Sequence, residues 1–298
     1  MNKLYKKAAL ILFGLLIAAV FSEVVLRFLG FPASSIYRID QNTGLLTFRP
    51  NSEVYIRSEC FSNNIKTNSL GFHSKEYNLE KPDGIFRIAI IGDSFIEASQ
   101  VPLEKTFAYL LEERLNQQTG SKYKYEVIPF GISSHGTYKS LLYLKAYALE
   151  FKPDLIIAAY TLNDLEDDTL EEIKFNERGQ PILEINPVGP KSAFQKAEGF
   201  FKSNLRKSVL ATTLRKEILV LKAKFEKKSS ADPLSGSSEF ISDAWENEEK
   251  LLASFNEISR AKNSNFLLVS LTDARVHSDS VEESNESKKL KAIAENTL

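Results

Sequence analysis

Ser94, Gly131 and Asn163 are the residues whose types and positions could carry out chemistry together. Ser94 follows Gly92-Asp93 at the end of the apolar run Ile88-Ala89-Ile90-Ile91. A hydroxyl there is a candidate nucleophile, because open α/β sheets bind ligands beyond the carboxyl ends of their strands. Gly131 closes a second run, Glu126-Val127-Ile128-Pro129-Phe130, and Asn163 follows a third, Asp154 to Tyr160. A hydroxyl attacking an ester carbonyl creates an oxyanion, which needs preorganised hydrogen-bond donors. A glycine N–H can approach such an oxygen closely, and an asparagine amide donates without carrying charge. Each residue also has a plainer reading. Asp93 and Ser94 cap a helix in the way Asp and Ser commonly do, Gly131 is an ordinary turn, and Asn163-Asp164 begins a helix.

The elements needed to position these residues are legible around them. Each apolar run is followed by a sharp polar turn and then by helical spacing, at Glu104–Gln118 and Tyr138–Phe151. This alternation predicts an α/β fold with a mainly parallel sheet and crossover helices. A fourth strand is expected at Asn265–Leu271 and a helix at about 283–295. In the second crossover, Tyr138, Leu141, Leu142, Leu144 and Leu149 are expected to face the sheet.

The three turns in this order resemble the conserved blocks of SGNH/GDSL-type hydrolases, in particular their membrane-anchored bacterial branch. Gly92-Asp93-Ser94-Phe95 matches the first block, Gly131 the second and Asn163-Asp164 the third, where Thr161 stands in place of a frequent glycine. Lys66-Thr67-Asn68-Ser69-Leu70-Gly71-Phe72 is similar to the lead-in of the anchored members. The resemblance implies a three-layer α/β/α domain of SGNH type. It also implies Ser94 as nucleophile, and an oxyanion hole built from the N–H groups of Ser94 and Gly131 with the Asn163 side chain. No cofactor or metal is implied. The Gly-x-Ser-x-Gly elbow of α/β-hydrolases is absent from the sequence.

A serine nucleophile needs a base, normally a histidine oriented by a carboxylate. The family carries both in an Asp-x-x-His element after its last strand, and the sequence contains no such element. A chain cut short before that element is the expectation this raises. Of the three histidines, His277 in Asp273-Ala274-Arg275-Val276-His277 and His135 in the second turn are the candidate substitutes. His73 reads as an exposed turn residue. An ester hydrolase of acyl (O-acetyl among them) groups is therefore one expectation. An acyltransferase, or a non-catalytic envelope or glycan-binding protein retaining the fold, is the other.

Lys3, Lys6 and Lys7 precede an apolar run from Ala8 to Ser22, after which Glu23 and Arg27 alternate with further apolar residues. This predicts a membrane helix over residues 8–29, with Glu23 and Arg27 able to pair at i,i+4. Lysines before the helix favour a cytoplasmic N-terminus, which would place Ser94 outside a bacterial cytoplasmic membrane. A cleaved signal peptide ending near Val20-Phe21-Ser22 is the rival reading. A net charge of −1 gives no field that would draw the chain to nucleic acid. Cys60 is the sole cysteine, which precludes an intramolecular disulfide, and it is expected to be buried.

The organisation expected is an anchor over 1–31, a lead-in over 32–84 with strands at Glu53–Arg57 and Asn63–Ile65, and the hydrolase-like domain over 85–298. A helical insertion is expected at about 166–262. Its parts are an acidic solvated loop (Glu166–Glu172) and a basic amphipathic helix (Phe200–Lys228), suited to a solvated face, anionic lipid or an acidic glycan. A linker (Ser229–Ser238) and a helix (Glu239–Ala261) follow, the latter packing Trp245, Leu251, Leu252, Phe255 and Ile258. Asp164, Asp167 and Asp168 lack the regular pattern of a calcium loop.

Overall fold

The computed structural model describes residues 2–28, 36–57, 60–118, 120–188, 208–211, 213–214, 218, 238–271 and 285–297. The chain forms two compact units. One comprises Met1–Tyr37, Glu53–Asn64 and Gly189–Ala231, and the other Arg38–Ser52, Ile65–Val188 and Asp232–Leu298.

The first unit is dominated by α1 (Asn2–Phe28), whose segment Tyr5–Phe28 is long and apolar enough to cross a membrane, with mean hydropathy 2.6. The helix continues through both charged residues, because Arg27 Nε donates to Glu23 Oε1 at 2.8 Å across one turn. Glu23 also accepts hydrogen bonds from Ser208 Oγ (2.8 Å) and from the N–H groups of Val209 and Leu210 (3.0 and 2.9 Å). Cys60, expected to be buried, is exposed. After the short strands β1 (Tyr37–Ile39) and β2 (Leu46–Phe48), it lies in the connection from β3 (Glu53–Arg57) to β4 (Ser62–Lys66).

The second unit is built on β5 (Ile85–Gly92), β6 (Lys124–Gly131), β7 (Leu155–Tyr160) and β8 (Asn265–Ser270). All pairings are parallel and the order is β6-β5-β7-β8. Ile88, Ile90, Ile157 and Ala159 share one face with Val127, packed with Ala108, Leu111 and Leu115 of α3 (Phe107–Gln117). Tyr160 and Leu268 lie on the alternate face. There they meet Trp245 and Leu252 of α6 (Ser238–Ala261) and Leu290 and Ile293 of α7 (Asn285–Thr297). Leu251 and Phe255 are buried as well, as the helical stripe predicts. Residues 229–237 of the expected linker and most of the expected basic helix lie outside the described residues.

The outer edge of β6 would offer unpaired backbone groups. Residues of α3 cover it. Glu112 Oε2 accepts the N–H of Val127 at 2.9 Å, and Asn116 bonds both the N–H and the carbonyl of Tyr125 at 2.9 Å. The Tyr77 hydroxyl lies 2.8 Å from Val127 O and 3.0 Å from Glu112 Oε2, where its one hydrogen ties the lead-in to the sheet. At the foot of β5, Arg87 is wholly buried and satisfied by Glu126 Oε2 (2.6 and 2.9 Å) and the carbonyl of Phe151 (2.8 Å).

Strand order fixes where a ligand would bind. The chain leaves β5 for β6 on one side, then crosses back over β5 to reach β7. The carboxyl end of β5 is therefore the switch point of the sheet, the position at which such sheets leave an open crevice.

Candidate active site

Ser94 occupies that switch point as the first residue of α2 (Ser94–Glu97), a single turn ended by Ala98 in the left-handed region (φ 51°). Asp93, fully buried, is its N-cap, and Asp93 Oδ1 accepts the N–H of Phe95 at 2.9 Å. The capping reading of Asp93 is thus realised, and it leaves Ser94 partly exposed. Asp93 Oδ2 reaches the end of β7, accepting from Asn163 Nδ2 and Thr161 Oγ1, each at 3.0 Å. Two of the residues singled out in the sequence are thereby joined through one carboxylate. Asn163 lies in the first turn of α5 (Leu162–Thr169).

Gly131 has a different part from that of oxyanion donor. A Cβ there would lie 2.3 Å from Glu97 N and 2.5 Å from the carbonyl carbon of Ile96. The absent side chain is what lets α2 rest directly on β6. Its N–H is also turned away from β5. Ile132 N–H donates to Gly92 O at 3.3 Å, so by strand alternation the N–H of Gly131 faces the outer edge of β6. In the following loop, Ser133 N–H is taken by Glu97 Oε2 at 2.6 Å and His135 N–H by Ile132 O at 3.2 Å. Ser134 between them is exposed, with φ 62°, and its N–H makes no hydrogen bond among the described residues. It is the backbone donor this loop presents. Its serine side chain gives no sequence signal of a backbone donor.

The two described histidines are poor bases. His135 is buried with its ring edge against Tyr143 (centroids 5.5 Å apart), and burial, reinforced by Lys139, pushes its pKa down to about 3. His73, expected to be an exposed turn residue, is buried. The Asn68-centred turn folds it inward (Asn68 Oδ1 accepts the N–H of Phe72 at 2.8 Å), so that its Nδ1 lies 3.3 Å from Glu97 O. Burial lowers its pKa too. His277 lies outside the described residues.

Of the acidic run Glu166–Glu172, expected as a solvated loop, residues 166–169 form the last turn of α5 and Asp168 is buried, while Leu170 and Glu172 beyond the helix are exposed. Asp168 covers the start of α4 (Thr137–Ala146), accepting Tyr138 N–H at 3.1 and 3.2 Å, where a helix N-terminus favours a carboxylate. Gly136 makes this possible, since a Cβ there would lie 2.4 Å from Asp168 Oδ1.

Facing Asp168 is Glu248 of α6, 1% exposed and absent from the sequence-derived candidates. Its Oε1 accepts the Thr137 hydroxyl, while its Oε2 has no hydrogen-bond partner. Desolvation raises Asp168 to about 7 and Glu248 well above the usual carboxylate range. One proton shared between the two resolves the unpartnered oxygen. A signal for Glu248 existed in the sequence: it interrupts the helical stripe of Trp245, Leu252 and Phe255. Among the described residues no group of acidic, histidine and cysteine side chains is arranged to hold a metal ion.

The chain matches no model of a known protein family, and no curated protein matches it. The geometry of the site is therefore the ground on which its function is read.

Proposed function

We propose that the protein is a membrane-tethered serine esterase, exported from a bacterial cytoplasm, that acts on acyl esters through Ser94. The observation that carries this reading is Ser94 at the switch point of a parallel sheet, with the preceding carboxylate bonded to Asn163 at the next strand end. The Ser94 hydroxyl would attack the ester carbonyl and release the alcohol, leaving an acyl-enzyme that water resolves. The Ser94 N–H, the Ser134 N–H and the Asn163 amide are the donors available to the oxyanion, with Gly131 as the floor on which α2 rests. Burial of His73 and His135 leaves His277 as the chain's own candidate base. An acyl group on an envelope glycan suits a site tethered to the membrane, and an acceptor other than water would make the same chemistry a transfer.

One observation favours the second reading, an SGNH-type binding protein without turnover. One N–H of the Asn163 amide is already engaged by the carboxylate of Asp93. Fluorophosphonate labelling and hydrolysis of a chromogenic acetyl ester by the full chain in detergent separate the two. Ser94-dependent labelling supports the esterase, and its absence supports the binder.

A further inference from the structure

Thr161 Oγ1 lies 3.0 Å from Asp93 Oδ2 and 3.1 Å from Asp164 Oδ1. A hydroxyl has one hydrogen and cannot donate to both. Both contacts become hydrogen bonds only if one carboxyl brings a proton of its own. Asp93 has a donor on each oxygen independent of Thr161, Phe95 N–H on Oδ1 and Asn163 Nδ2 on Oδ2. Asp164, 4% exposed, accepts Thr161 N–H on Oδ2 (3.0 Å), and among the described residues the hydroxyl is the one hydrogen-bonding group beside Oδ1. Left ionised, Oδ1 would face an oxygen lone pair in a dry site close to another carboxylate, an arrangement with no compensation. The proton therefore belongs on Asp164 Oδ1.

We propose that Asp164 is a positioning residue: it donates a proton-bearing hydrogen bond to Thr161 Oγ1, which donates in turn to Asp93, fixing the carboxylate that holds Asn163. The proposal rests on the esterase reading for its consequence in catalysis, while the relay itself does not. Burial, with the charges of Asp93 and Asp168 nearby, favours the neutral form, and Thr161 N–H opposes it. Asp167 and Asp168 on α5, Lys139 on α4 and Glu248 on α6 complete the charged surroundings. Asp164 thus has a use beyond starting α5. With it ionised, Thr161 could turn its hydrogen toward Asp164, and Asp93 would lose one of the three donors that set its orientation.

The test uses the full chain in detergent with Asp164→Asn, Asp164→Ala, Thr161→Val, Thr161→Ser and Glu248→Gln. Asparagine reproduces the protonated acid, donating from Nδ2 to Thr161 and accepting on Oδ1. Infrared bands of protonated carboxyls should be present at pH 7. The one lost in Glu248→Gln belongs to the Asp168–Glu248 pair, and a separate Asp164 band should disappear in Asp164→Asn and shift in Thr161→Val. The fluorophosphonate labelling rate of Ser94 should stay within about threefold of wild type in Asp164→Asn and Thr161→Ser. It should fall at least about tenfold in Asp164→Ala and Thr161→Val. Wild-type labelling should decline at alkaline pH as Asp164 ionises, a decline missing from Asp164→Asn. Absence of the Asp164 band, bands unaltered by Asp164→Asn, or the same alkaline decline in Asp164→Asn would each overturn the proposal. A wild-type chain that shows the Asp164 band yet takes no label leaves the relay standing and overturns the esterase reading instead.

Discussion

Individual residues at this site are constrained by backbone contact as much as by chemistry. Gly131→Ala would drive a methyl group into the backbone of α2, which cannot yield as a flexible side chain would. A loss of at least about 2 kcal/mol is expected, read as a lowered urea midpoint, with the packing of α2 and hence Ser94 disturbed together. Ser134 presents the opposite case. It holds a left-handed backbone with a side chain attached, so Ser134→Gly should raise stability by about 1 kcal/mol and leave its N–H in place. An unchanged or lower midpoint would show that the loop is not held in that conformation. Asn163→Ala removes an amide bonded to Asp93 and should slow acylation of Ser94 about 100-fold, measured as the labelling rate.

Among the elements, the strands and crossover helices were legible because each is a short apolar run or stripe with a turn at its end. β5, β6, β7 and β8, together with α6 and α7, lie within a few residues of where their patterns put them. Residues whose environment is made by distant chain were not legible. His73 reads as a turn residue until Asn68 folds it inward, and Asp168 reads as solvated until the start of α4 needs a carboxylate. Glu248 gains its role only when α6 packs against α4 and α5.

That packing has a consequence for pH dependence. Asp168, with its pKa raised to about 7, and Glu248, raised well above the usual carboxylate range, bind protons more tightly when folded than when unfolded. Their contribution to stability is therefore fully present below the ordinary carboxylate range and is lost as pH rises toward and through their folded values. Glu248→Gln keeps the Thr137 contact and gives Asp168 a donor without a proton. The variant should gain on the wild type between pH 5 and 8, by about 2 kcal/mol at the upper end, in melting curves taken across that range. Parallel curves would contradict a shared proton.

At the scale of the whole molecule, one chain carries an N-terminal helix long and apolar enough to cross a membrane and a four-stranded parallel sheet. The helix was legible from its composition, and Glu23 and Arg27 are carried within it as a pair. The full chain should sediment with membranes after alkaline carbonate extraction, and a variant lacking residues 2–28 should not. The fourth component of a hydrolase, the base, was not found in the sequence, and burial removes two of the three histidines from contention. The most direct test of the account is fluorophosphonate labelling of the full chain beside Ser94→Ala, with the labelled peptide identified by mass spectrometry. The account predicts a single adduct on Ser94 that is absent from the variant. A wild-type chain that is folded and takes no label, or label that persists in Ser94→Ala, would contradict it.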